Sequence, residues 1–78
     1  MRAKLRAARE KMNISVADFS KELNISASFY YKIEKGIRNP TIELAKAIAD
    51  RLGETVDGLF FADGLDELSN ELDSASNQ

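Results

Sequence analysis

Three short hydroxyl side chains, each followed by a helix-length apolar stripe, constrain this chain more than any other feature. Ser15, Ser26 and Thr41 stand where helix-forming runs begin. A hydroxyl there accepts a hydrogen bond from a backbone N–H that the first helical turn leaves unpaired. Ile14 and Phe19 flank Ser15 at the staple positions, and Ile25 and Tyr30 flank Ser26 in the same way. Each pair fixes the angle at which the chain enters its helix, and Asp18 completes a short capping box after Ser15. Asn13, Asn24, Gly36 and Gly53 sit where the preceding helices must stop; both residue types tolerate the left-handed backbone of a helix end. Only Asn24 and Ile25 separate the second helix from the cap of the third. Punctuation this tight predicts helices joined by very short turns.

The apolar stripes agree. Leu5, Ala8 and Met12 share a face in the first helix, and Val16, Phe19, Ser20 and Leu23 share one in the second. Phe29, Tyr30 and Ile33 form the inward side of the third, while Leu44, Ala45, Ile48, Ala49 and Leu52 line the fourth, which begins after the break at Asn39-Pro40. Thr55 caps a short fifth helix ending in Leu59 and Phe60. Gly58 inside it is expected to weaken it by about 1 kcal/mol relative to Ala. No stretch alternates with period two, so the fold class is all-α. From residue 62 the composition turns to Asp, Glu, Ser and Asn, with Leu65, Leu68 and Leu72 on one helical face and a frayed end over 73–78. The organisation expected is one domain over residues 1–61 and an acidic segment over 62–78, a short helix or a tail. A chain of 78 residues has room for a single core, so no separate ligand-sensing domain is expected.

Composition narrows the chemistry. Apolar residues at 44% and charged residues at 31% suit a folded soluble chain. There is no Cys and no His, which removes the thiolate nucleophile, the usual general base and the usual transition-metal ligands. The acidic residues Asp63, Asp66, Glu67, Glu71 and Asp73 lack the glycine-containing spacing of a calcium loop. The expectation is a binding module and not an enzyme, with no cofactor, no metal and no small-molecule ligand. No apolar run approaches the roughly 20 residues of a membrane span, and the basic N-terminus lacks the apolar stretch of a signal peptide, so a cytoplasmic chain is expected. The net charge of −2 hides a split. Residues 1–39 carry nine Lys/Arg against four Asp/Glu, and residues 40–78 carry two against nine. One half is suited to a polyanion, unless surface charges have segregated by chance.

Residues 15–35 have the length and spacing of a helix-turn-helix, although a helical hairpin in any small bundle would look alike. The residues themselves say more. Leu5-Arg6 and Arg9-Glu10 are followed by Ile14-Ser15, Phe19-Ser20 and Leu23-Asn24-Ile25-Ser26. Lys32-Ile33-Glu34-Lys35-Gly36 and Arg38-Asn39-Pro40 come next, and Leu44, Ile48, Ala49, Leu52-Gly53, Val56-Asp57 and Leu59-Phe60 fall in register behind them. From Leu5 to Phe60 the chain resembles the phage-repressor and Cro-like helix-turn-helix proteins of the XRE family.

The resemblance implies a compact five-helix, lambda-repressor-like domain that binds double-stranded DNA by sequence. Its function would be transcriptional regulation, as a repressor that occludes a promoter. The third helix would enter the major groove with the second crossing above it. Ala27, Ser28 and Lys32 then fall at base-reading positions: Lys32 can donate to guanine, Ser28 can meet polar base edges and Ala27 can pack on a thymine methyl. Ser15, Ser26, Tyr31, Lys35, Arg38 and Asn39 fall where the family meets the DNA backbone. Arg9 and Glu34 match an ion pair that orients the reading helix, with Arg9 still able to touch a phosphate. The chain departs from the family pattern at Val16, where Gln is usual, at Asn24 for Gly, at Ser20 for Ala, and at the bulky Tyr30 and Tyr31. These departures bear on which operator is read.

Family members read pseudo-palindromic sites as dimers. The apolar residues left for a weak homodimer are Val56, Phe61, Leu65, Leu68 and Leu72, unless the leucines fold back onto their own subunit. The rival reading, from another functional class, is an antitoxin or protein-interaction module on the same scaffold, holding a protein partner through the C-terminal segment.

Overall fold

The computed structural model describes residues 1–61 of the chain. It contains α1 (Ala3–Lys11), α2 (Val16–Glu22), α3 (Ala27–Lys35) and α4 (Ile42–Leu52), followed by a single π-helical turn, Asp57–Phe61. No strand occurs among the described residues, and none of their helices is long and apolar enough to cross a membrane. The segment over 62–78, with Leu65, Leu68 and Leu72, lies outside the described residues.

The three hydroxyl caps form as expected. Asp18 N–H donates to Ser15 Oγ at 3.0 Å, Phe29 N–H to Ser26 Oγ at 3.0 Å, and Leu44 N–H to Thr41 Oγ1 at 3.1 Å. Each such cap is worth about 1 kcal/mol. All four helices stop by the same device. Asn13, Asn24, Gly36 and Gly53 take positive φ values of 58°, 62°, 83° and 70°. The N–H after each turns back to the carbonyl five residues earlier: Ile14 to Arg9, Ile25 to Ser20, Ile37 to Lys32 and Glu54 to Ala49. This is the Schellman arrangement, which satisfies carbonyls that a helix end would otherwise leave bare. Asn24 thus takes the left-handed stop position that Gly was expected to favour.

The core collects one stripe from each helix. Leu5, Ile14, Phe19, Tyr30, Ile33, Ala45, Ile48, Ala49, Leu52, Leu59 and Phe60 are buried together. Phe19 and Tyr30 meet edge to face, with ring centroids 5.2 Å apart and planes at 75°, which positions α2 against α3. The hydroxyl of buried Ser20 donates to Ala17 O at 2.9 Å, so the polar atom in that stripe is satisfied. Ile37 differs from Ile14 and Ile25, which occupy the same position after their helices. It is 65% exposed, because the segment after α3 runs along the surface.

One expectation needs correction. Met12 does not share a buried face with Leu5 and Ala8. It follows the last residue of α1 and is exposed, and the face it was assigned to is completed by Arg9. The N–H of Gly58 donates to Thr55 Oγ1 at 2.9 Å, and a Cβ at Gly58 would stand 3.0 Å from that oxygen, so a side chain there requires Thr55 to shift by a few tenths of an ångström.

Phe19→Ala removes a fully buried ring from the α2–α3 contact. It is expected to cost about 3–5 kcal/mol, against about 1 kcal/mol for Val16→Ala at the half-buried edge of the same helix. Urea unfolding followed by circular dichroism measures both.

Candidate nucleic-acid interface

The exposed side of α3 is assembled by what its other side must bury. Tyr30, Ile33 and Glu34 face inward and Phe29 is partly covered, which leaves Ala27, Ser28, Tyr31, Lys32 and Lys35 on the surface. All five of these were expected there. Lys35 Nζ lies over the Tyr31 ring, 5.5 Å from its centroid, so a cation–π contact orders these two side chains together. Ser26 and Ser15 are exposed at the starts of α3 and α2. Their oxygens accept from the helix N–H groups, and their own O–H groups remain donors.

Glu34 organises the ground beneath this face. Arg9 Nε donates to Glu34 Oε2 at 2.7 Å and Arg9 Nη2 to Glu34 Oε1 at 3.2 Å, a two-point ion pair with both side chains almost wholly enclosed. Arg9 Nη1 donates to Ile14 O at 2.7 Å, in the turn between α1 and α2. The Tyr30 hydroxyl donates to Glu34 Oε2, also at 2.7 Å. The bulky Tyr30 therefore brings a donor that an aliphatic residue could not. The guanidinium of Arg9 is turned inward and bound at all three nitrogens, which ties α3 to α1 and to the turn that follows it. Its hydrogen bonds to Glu34 raise its pKa further above the ordinary value, against the lowering effect of burial. Burial, with the Glu34 hydrogen bond second, pushes the Tyr30 phenol far above its ordinary pKa.

Arg2 was missed by sequence reasoning. It is the N-cap of α1 and only 6% exposed. Its backbone N–H donates to Glu34 O at 2.8 Å. Nη1 donates to Ile33 O and, at 3.0 Å, to Arg38 O, while Nη2 donates to Asn39 Oδ1. The guanidinium carbon lies 5.4 Å from the centroid of the Phe60 ring. The one local signal was a cation at a helix N-terminus, where the macrodipole disfavours it.

The segment after α3 is correspondingly tight. The N–H groups of Ile37 and Arg38 both donate to Lys32 O, at 2.9 and 3.2 Å. Arg38 is exposed, Asn39 is partly covered and Pro40 is fully buried. Of the nine cations in residues 1–39, Arg2 and Arg9 are buried and the other seven are exposed. Val56 and Phe61 are partly buried and pack against the core. The arrangement presents a convex helix face with neutral and cationic side chains and hydroxyl donors at two helix starts, a surface suited to a grooved polyanion.

A family model described as helix-turn-helix matches residues 5–59. No curated protein and no solved structure is a significant match to the chain.

The phenol of Tyr30 gives stability a pH signature. Its folded pKa is raised above the unfolded value of 10.0, so its contribution is complete below about pH 10. Above that the unfolded chain sheds the proton first, and stability falls by at most about 1.4 kcal/mol per pH unit from this group. Urea titrations from about pH 8 to about pH 11 should show a shallower alkaline decline for Tyr30→Phe than for the parent. The variant should start about 1–2 kcal/mol lower because Glu34 loses a donor.

Proposed function

The chain belongs to the XRE-type helix-turn-helix family, whose model covers most of its length, and is accordingly a DNA-binding regulator of transcription; from that premise we propose that it is a repressor reading the major groove with α3. Lys32 donates to guanine O6 and N7, Ser28 bonds a polar base edge and Ala27 packs on a thymine methyl. Ser15, Ser26, Tyr31, Lys35, Arg38 and Asn39 meet the flanking phosphates and set the register. The observation that carries this reading is the division of α3. Every residue assigned to base reading is exposed, while its opposite side is locked to α1 by the Arg9–Glu34 pair. A helix held in that way presents its outer side chains as a fixed pattern, which sequence discrimination requires.

The operator is a pseudo-palindrome bound by two subunits. Val56 and Phe61, with Leu65, Leu68 and Leu72 beyond them, supply the two-fold contact. Val56 and Phe61 each leave only part of their surface free of their own core, which supports a weak dimer that forms fully on DNA. Selection of bound duplexes from a random library reads motif and half-site spacing together. Two half-sites about one helical turn apart are expected.

Mutants separate the roles. Lys32→Ala should change the preferred base at one position and cost about 1–3 kcal/mol on the selected site. Lys35→Ala and Arg38→Ala should weaken all sequences alike, each making the salt slope shallower by about one. With about five phosphates neutralised per subunit, the parent's log–log slope should lie near −4 to −5 per subunit. A slope near zero, or a chain that binds a protein partner and no duplex, refutes the reading.

A further inference from the structure

We propose that Arg2 is a positioning residue of the DNA interface: it holds residues 36–39 in one conformation and so presents Arg38 and Asn39 to the phosphate backbone together. The proposal rests on the backbone-contacting roles given to those two residues above. Arg2 reaches them across more than thirty positions of sequence, from the start of α1. Its Nη1 bridges the last turn of α3, at Ile33 O, to the carbonyl of Arg38. The distance from helix end to loop is thereby spanned by a single planar group, and a guanidinium is rigid where an ammonium is not.

The contact to Asn39 also decides which way its amide points. A guanidinium has donors only, so the Asn39 oxygen must face Arg2, as it does. The amide NH₂ is then directed away from Arg2, leaving a donor and not an acceptor for an anion. The loop is fastened from three sides. Arg2 holds it from α1, the Ile37 and Arg38 N–H groups hold it to Lys32 O, and the ring of Phe60 backs the guanidinium from the π turn. The same arginine anchors α3 through its own N–H to Glu34 O. The base-reading helix and the phosphate-contacting loop therefore share one fastening, while Arg2 itself is buried and does not meet DNA.

The full-length chain tests this with two substitutions. Arg2→Lys keeps a cation and an aliphatic stem but cannot span three acceptors, and Arg2→Met removes the charge as well. Fluorescence anisotropy over a salt series measures affinity for a selected operator duplex and for a random duplex of equal length. Both variants should bind both duplexes about tenfold more weakly, with the operator-to-random ratio unchanged and the salt slope shallower by about one. Asn39→Ala should cost affinity in the parent and little more in the Arg2→Lys background, since the two act through one contact. Arg2→Lys binding as the parent does, a loss confined to the operator, or additive losses with Asn39→Ala would each overturn the proposal. Circular dichroism verifies folding. If neither Arg2 variant folds, Asn39→Ala in the parent decides, and unchanged affinity on both duplexes overturns the proposal. A parent that shows no salt-dependent duplex binding defeats the DNA-contact reading itself and this inference with it; a binding parent with unaffected variants defeats only the inference.

Discussion

A single buried carboxylate sets the terms for this fold. Glu34 cannot be left inside an apolar core as a bare charge, because desolvation would cost several kcal/mol. The chain answers with a two-point bond from Arg9 and a phenolic hydrogen bond from Tyr30. Arg9 in turn reaches the carbonyl of Ile14, so α1, the α1–α2 turn and α3 are joined through one cluster. Replacing the whole pair by well-packed apolar groups would cost little or even stabilise, whereas removing one partner costs about 3–5 kcal/mol. Hydrophobic contacts tolerate sliding and rotation, but a bidentate pair does not. Its contribution is orientation of α3, and the outward side chains of that helix depend on that orientation.

Features written in neighbouring residues were legible in the sequence. The caps at Ser15, Ser26 and Thr41 need only a hydroxyl and the N–H three residues on. The left-handed stops at Asn13, Asn24, Gly36 and Gly53 need only a residue that tolerates positive φ. The inward and outward sides of α3 follow from 3.6-residue periodicity, so Lys32 and Tyr30 could be assigned to opposite faces. The Arg9–Glu34 pair spans 25 residues and was accessible only through the resemblance to other helix-turn-helix chains.

Arg2 shows where such reading stops. Its acceptors lie 31 to 37 positions away, two of them are main-chain carbonyls that leave no trace in residue identity, and the family match begins only at Leu5. Met12 fails for a different reason. Helical spacing places it beside Leu5 and Ala8, but the helix ends one residue before it, and a boundary error of one residue turns an apolar side chain from core to surface.

The exposed face of α3 has a consequence for descent and design. Ala27, Ser28, Tyr31, Lys32 and Lys35 stand outside the core, and none of the buried polar cluster around Glu34 uses them. Under the proposed reading, exchanging them changes the target while the apolar packing beneath is left intact, since surface substitutions of this kind usually shift stability by less than about 0.5 kcal/mol. Separation of vocabulary from scaffold lets a lineage of such chains diverge in target one letter at a time, each intermediate still folded. Residues at Tyr30 and Glu34 have less freedom, because altering one of them alone leaves a buried polar partner unsatisfied.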